Sequence, residues 1–315
     1  MSGITPRVQP CPTVDREAAL EILYRRVPVA LRPRLIANAL GEAERGSIDL
    51  SGLWVAWRQG RIVGAMLTQA LAGRAAALWA PEVDPSWRRT TIAVALVRAA
   101  LAQLQSQGYV IAQALLDESA PRQWAADLSG GGVPKVTDLI YLERDTHPPL
   151  ELRPGLPEFE WHSYSPTTEP EFCEILPGTY IDSLDMPELE GIRSLSDIMG
   201  SHRAAGRFVP ERWRIGRLRD EPEAAAVLLL SELPDRMAWE VAYLGLTPPA
   251  RGRGLGRAVL AHALELASAH VPKLELAVDA RNHPATRLYQ AAGFLPFDCR
   301  AVHLAKLVPK ELRSD

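Results

Sequence analysis

Cysteine is scarce in this chain: Cys11, Cys173 and Cys299 are the only three in 315 residues, far apart and without a Cys-x-x-Cys pair. That argues against a disulfide framework or a zinc–cysteine site and suits a reducing compartment. The histidines show no His-Glu-x-x-His or equivalent spacing, so no metal is expected. His262 and His270 read as surface residues, His283 carries no assignment, and a lone Cys173 reads as a packing residue rather than a nucleophile. No uninterrupted apolar run approaches the ~18 residues of a membrane span. Residues 1–20 lack the apolar core of a signal peptide. An excess of one charge is also missing. Lys+Arg 35 against Asp+Glu 38 leaves −3, with 16 basic and 14 acidic residues up to position 150 and 19 and 24 beyond it. A polybasic binder of nucleic acid or anionic membrane looks different. The expectation is a cytoplasmic protein with neither nucleic-acid nor membrane partner.

What is present is ample apolar material, 47% of residues, beside 23% charged ones. The length exceeds the usual ~100–200 residues of one domain. A stretch rich in charge, proline and glycine around 144–155 marks the midpoint, and a linker is placed at 148–157 between domains 1–147 and 158–315. In the first half, helices over 15–45 precede a hairpin (53–57 and 62–67 around Arg58-Gln59-Gly60-Arg61). An apolar stretch to Val83, a helix over 90–107, a strand over 109–116, a short helix over 121–128 and a strand over 136–143 follow. In the second half, strand 159–164 and helices within 168–204 precede a hairpin (213–218 and 224–230). Strand 237–246, helix 255–270, strand 274–278, short helix 284–291 and strand 301–307 complete it. Strand, proline turn, long helix, strand, short helix, strand occurs twice, which points to an internal duplication.

The informative segment is Leu244-Gly245-Leu246-Thr247-Pro248-Pro249-Ala250-Arg251-Gly252-Arg253-Gly254-Leu255-Gly256-Arg257. Glycines at alternate positions open a helix directly after a strand and turn. Residues without Cβ let a ligand reach the main chain, and the first N–H groups of the helix, backed by its dipole, suit a pyrophosphate. Arg251, Arg253 and Arg257 add positive charge. A Walker A loop would need Gly-Lys-Ser/Thr where Leu255-Gly256-Arg257 stands. A dinucleotide-binding fingerprint would need a small residue at 257, although Asp279 imitates its ribose-binding acid. A glycine-rich turn without a ligand is the remaining reading.

The segment resembles motif A of the GNAT superfamily of N-acetyltransferases, Arg/Gln-x-x-Gly-x-Gly/Ala, with Arg251, Gly254 and Gly256 in its defined places. Downstream, Asn282-His283-Pro284-Ala285-Thr286-Arg287-Leu288-Tyr289-Gln290-Ala291-Ala292-Gly293-Phe294 is similar to the family's motif B. The match covers roughly 160–307. It implies an α/β (α+β) fold of two tandem GNAT-like domains, each a mixed, mostly antiparallel sheet flanked by helices, and a tandem plan similar to that of mycothiol synthase. It also implies acetyl-CoA as cosubstrate. The pantetheine arm would lie along Leu244, Gly245 and Leu246, with Gly245 letting the strands splay. The pyrophosphate would rest on the amides of Arg251, Gly252, Arg253, Gly254, Leu255, Gly256 and Arg257, and Asn282 would bond near the pantetheine.

Transfer to an amine requires removal of its proton, a donor for the tetrahedral oxyanion, and an acid for the departing thiolate. The resemblance offers Tyr289 as the acid and a main-chain N–H of Leu244 or Leu246 as the donor. It offers Glu240 as a base acting through water, placed by strand alternation on one face with Ala242, Leu244 and Leu246. Thr90 and Ile92 replace the glycines in the first half, and no motif B appears there, so that domain is expected not to bind the cofactor. Asp182, Asp185, Glu188 and Glu190 are candidates to attract a cationic amine, and a solvated acidic face competes with that reading. The expected function is transfer of acetyl to a primary amine of a small molecule or protein by a monomer or homodimer. Use of a longer acyl-CoA keeps the enzyme and changes the donor; a CoA-responsive regulatory module without turnover is the alternative from another class.

Overall fold

The computed structural model describes residues 6–152, 154–221 and 223–307; Arg153, within the expected linker, lies outside them. The chain forms two compact units, one of residues up to Val136 together with those from Ala301, the other of Thr137–Arg300.

In the first unit, β1 (Arg7–Pro10), α1 (Arg16–Leu23) and α2 (Arg32–Glu44) lead into β2 (Leu53–Arg58), β3 (Arg61–Leu71), β4 (Ala75–Leu78) and β5 (Glu82–Val83). Then come α3 (Arg89–Ser106), β6 (Ile111–Asp117) and α4 (Arg122–Gly131). The sheet runs β1-β2-β3-β4-β6, antiparallel except for the parallel β4–β6 pair. Ile92, Ala93, Leu96, Val97, Ala100 and Leu104 recur at helical spacing on α3 and are buried. They pack in one core with Trp54, Val63 and Met66 of the sheet, each large side chain contributing about 1.5–3 kcal/mol by burial.

The second unit holds β7 (Lys135–Asp145, from Thr137), β8 (Phe159–Ser163), α5 (Glu169–Tyr180), α6 (Leu195–Arg203), β9 (Arg207–Leu218) and β10 (Ala224–Leu233). It continues with β11 (Ala238–Leu246), α7 (Leu255–Ser268), β12 (Lys273–Asp279), α8 (His283–Ala291) and the start of β13 (Leu295–Lys306). Its sheet order is β7-β12-β11-β10-β9-β8, again antiparallel except for one parallel pair, β11–β12. One face, with Leu228, Leu230, Trp239, Val241, Leu274 and Leu276, packs on Val259, Leu260, Ala263 and Leu264 of α7. The other packs Val227, Leu229 and Trp213 on Phe172 and Leu176 of α5 and Met199 of α6. Mixed, mostly antiparallel sheets flanked by helices thus occur twice, as the duplicated pattern required.

The packing boundary differs from a split at 147 and 158. Residues 139–145 of β7 pair with β12 over Leu139–Asp145, so they bury with the second unit, whereas Ala305 and Leu307 enter the first unit's core. Most elements lie within a few residues of their expected ranges. The exceptions are β1, an edge strand too short to announce itself, and β9 and β13, which begin six residues earlier than expected; in β9 the polar Arg207 still pairs, with Glu232 of β10.

Candidate active site

The turn between β11 and α7 is built by glycine. Gly252 and Gly254 adopt φ of +73° and +79°, backbone positions that cost a residue with a Cβ roughly 1 kcal/mol or more. Gly254 is the N-cap of α7 and no side chain caps the helix, so its first N–H groups are presented bare. They open onto a cavity of about 930 Å³ lined by the 251–257 turn, residues 241–246 of β11, Ala277 and Val278 of β12, and Asn282, Leu288 and Tyr289 from the α8 region.

The cavity exists because two neighbouring strands part. Register between β11 and β12 runs from Ala238–Lys273 to Val241–Leu276, yet β11 continues to Leu246 and β12 to Asp279. The parting begins at a bulge: Leu230 faces Val241 while Leu229 faces Tyr243, leaving Ala242 as an extra residue. The family resemblance places the opening at Gly245. That glycine instead accommodates Tyr243, because a Cβ there would stand 2.6 Å from the Tyr243 hydroxyl and 2.8 Å from Thr179 Cβ.

The same extra residue reverses the facing of β11. Trp239, Val241, Leu244 and Leu246 all turn to the α7 side, and Tyr243 turns to the α5 side. Glu240 therefore lies on the face opposite Leu244 and Leu246, not beside them. Its cross-strand partners are Ser231 and Glu275, and the cavity wall begins at Val241. Burial and then the Glu275 charge raise its carboxyl pKa, with Arg236 opposing.

Tyr289 is buried on the inner side of α8 and reaches the cavity. Burial holds its phenol well above the ordinary range, with the charge of Asp185 adding to the effect, so it is a protonated donor at neutral pH. Asn282 lines the cavity and caps α8, its carboxamide oxygen accepting the Ala285 N–H at 3.2 Å. The three arginines line the cavity but their guanidiniums are engaged with protein. Arg251 donates to the carbonyls of Leu246 (3.2 Å), Thr179 (3.0 Å) and Asp182 (3.4 Å). Arg253 pairs with Glu221 at 2.7 Å. Arg257 donates to the carbonyls of Glu151 (3.0 Å) and Ala291 (3.3 Å).

Several residues that sequence reasoning passed over meet on the α5 side. Tyr243 donates to Thr179 Oγ1 at 2.8 Å, since the Thr179 hydroxyl is itself donated to the Leu176 carbonyl at 2.7 Å. The Tyr243 ring stacks on Tyr180, with centroids 4.8 Å apart. Tyr180 reaches His202 Nε2 at 2.6 Å. Burial pushes Tyr243 up to about 12 and His202 down to about 4, Arg193 adding to the latter. Asp279, which imitated a ribose-binding acid, is fully buried and structural. Burial pushes its carboxyl up, but Arg281 (2.7 and 3.0 Å), Thr137 (2.6 Å) and the Arg281 and Met186 N–H groups hold it below its usual value. With that acid occupied and a mostly antiparallel sheet around it, the dinucleotide-binding reading falls.

The acetyltransferase (GNAT) family profile matches residues 21–123 and 182–294, one region in each half. The chain belongs to the acetyltransferase (GNAT) family. The family's fold occurs in tandem here, the matches to the curated relatives of highest identity span about a third or less of their length, and the family takes its acetyl group from acetyl-CoA. A mycothiol acetyltransferase of Beutenbergia cavernae is 40% identical over 79 residues, which is 25% of this chain and 26% of that protein. One from Mycolicibacterium paratuberculosis is 29% identical over 241 residues, covering 72% of each. The likeness in plan to mycothiol synthase is thereby borne out. A GCN5-related N-acetyltransferase structure from Sphaerobacter thermophilus superposes with a TM-score of 0.55 at 18% identity, covering 97% of this chain and 96% of that one; it shares the fold. Among the described residues no helix is long and apolar enough to cross a membrane, and no group of three or more His, Cys, Asp or Glu side chains is placed to hold a metal.

Proposed function

We propose that the second unit binds acetyl-CoA and passes the acetyl group to a primary amine. The observation that carries this reading is the uncapped, glycine-opened start of α7 facing the same cavity as Tyr289. The amides of 254–256 would hold the diphosphate. The edge of β11 freed by its parting from β12 offers main-chain groups at Leu244–Leu246 to the amides of a pantetheine arm, much as a strand edge takes an added peptide. Arg251, Arg253 and Arg257 brace the turn and keep positive charge at its rim, and Asn282 fixes α8 beside it. Acetyl-CoA supplies an activated acyl group with a thiolate leaving group; Tyr289 would protonate that thiolate. Glu240, off the cavity wall, would act only through intervening water.

Among its described residues the first unit offers no equivalent turn. Arg88 stands at the N-cap of α3 in an extended conformation, and Ile92 is buried against the sheet. Near the start of α3, the buried carboxylate of Glu82 bonds Arg26, Arg89 (3.2 Å) and Trp124 Nε1 (2.8 Å), while Arg89 pairs with Asp127 at 2.9 Å. We therefore assign one cofactor site per chain. The scarcity of cysteine and the lack of a Cys-x-x-Cys pair fit a cytoplasmic setting, and the names of the relatives favour an amine on a small thiol-bearing molecule. Thiol release and N-acetyl product across a panel of primary amines test the reading. Amine-dependent release supports it; CoA binding with no amine acetylated would favour a regulatory module instead.

A further inference from the structure

We propose that Asp185, rather than Glu240, is the carboxylate that takes the proton from the incoming ammonium. The inference rests on the second unit's cavity being the acetyl-transfer site. Asp185, Tyr243 and Tyr289 share the wall of that cavity, whereas Glu240 does not.

Asp185 lines the cavity and is exposed to solvent, which is the condition for contact with a substrate. Its Oδ1 accepts the Asp279 N–H at 3.2 Å, and its own N–H donates to Ser183 Oγ at 3.2 Å. Among the described residues its second oxygen makes no hydrogen bond and the carboxylate has no ion pair. The flanking chain is anchored: Met186 N–H donates to Asp279 at 3.2 Å, and Arg281 grips Glu188 at 2.6 and 2.9 Å. A fixed carboxylate with a free oxygen and no cationic partner on a ligand-cavity wall is placed to receive an ammonium. The groups that face it are Asp279 at the end of β12 and Arg281 just beyond it, Tyr180 of α5, Tyr243 of β11 and Tyr289 of α8. Desolvation by the surrounding protein raises its carboxyl pKa, the neighbouring Asp279 charge adds to that, and the Asp279 N–H and Arg281 oppose it. The shift brings the group closer to neutrality and makes it a better base than an ordinary carboxylate.

The step balances. Asp185 accepts one proton from R–NH3+, freeing the nitrogen lone pair, which forms the C–N bond at the thioester carbonyl while the C–S bond breaks. Tyr289 protonates the leaving sulfur and is reprotonated by the second nitrogen proton. Asp185 then returns its proton to water, the single proton released overall.

The test compares ethanolamine, a charged ammonium near neutral pH, with methoxyamine, already uncharged there, as probes at saturating acetyl-CoA in the full chain. Asp185→Asn keeps an oxygen for the Asp279 N–H, and CoA calorimetry confirms that each variant is folded and loaded. The expected result is a loss of about 100-fold or more with ethanolamine but under about tenfold with methoxyamine, and no such selectivity for Glu240→Gln. Equal losses on both probes, an unchanged Asp185→Asn, the selective pattern in Glu240→Gln, or release that neither amine stimulates in the native chain would overturn the assignment. CoA bound in any of those cases leaves the cofactor site standing; CoA unbound by the native chain removes the site itself.

Discussion

The Tyr180 phenol lies 2.6 Å from His202 Nε2, joining the end of α5 to α6 in the second unit. His202 is held near 4 by burial and Arg193, so at neutral pH the ring is uncharged and Nε2 accepts from the phenol. A group kept neutral in the fold takes up its proton more readily once unfolded. Stability from His202 is therefore fully present above its unfolded pKa of about 6.5 and declines as pH falls from there toward about 4. The loss is at most about 3 kcal/mol, reduced by water at the residue's partly exposed edge. Urea unfolding at pH 7.5, 6 and 4.5, set beside His202→Gln, checks this; a variant whose pH dependence matches the native protein's would contradict it.

Tyr289→Phe removes the proposed acid and little volume. We expect kcat to fall by about 10²-fold or more, with CoA affinity within about twofold. Steady-state kinetics paired with calorimetry distinguish this from a packing defect, which would lower stability and affinity together.

Gly245→Ala places a methyl group against Tyr243 and Thr179. Overpacking of this kind costs about 1–3 kcal/mol, and displacement of the Tyr243 ring is expected to raise the KM for the amine more than that for acetyl-CoA. Denaturation midpoints and the two KM values measure the effect. An acetyl-CoA defect alone would restore Gly245 to a direct role in the cofactor groove.

Arg251 ties three carbonyls from β11 and the end of α5 together. Arg251→Lys has neither the fork nor the reach to serve all three, and a loss of about 1.5–3 kcal/mol is expected from hydrogen bonds to a charged group. Thermal unfolding should show it even without ligand. A native midpoint with reduced CoA affinity would mean that the guanidinium acts on the diphosphate instead.

The chemistry visible in the sequence is that which a short contiguous segment dictates. Gly252 and Gly254 before an apolar helical pattern specify an open helix start because glycine readily adopts the positive φ of that turn, and Asn282 before Pro284 specifies a capped short helix. Ala242 left no mark. An extra residue in an apolar strand changes no composition, yet it turns every later side chain over, so alternation alone places Glu240 on the face of Leu244 and Leu246. Tyr180, His202 and Tyr243 come from α5, α6 and β11 and meet only after folding. The arginines of the turn were legible as charge but not as braces, because main-chain carbonyls carry no sequence signature.

Calorimetric titration of CoA into the intact chain, with Gly254→Val alongside, probes the central claim most directly. The account predicts one site per chain and its loss when a branched side chain is forced into the +79° turn. Two equivalent sites, no uptake, or undiminished binding by Gly254→Val would contradict it.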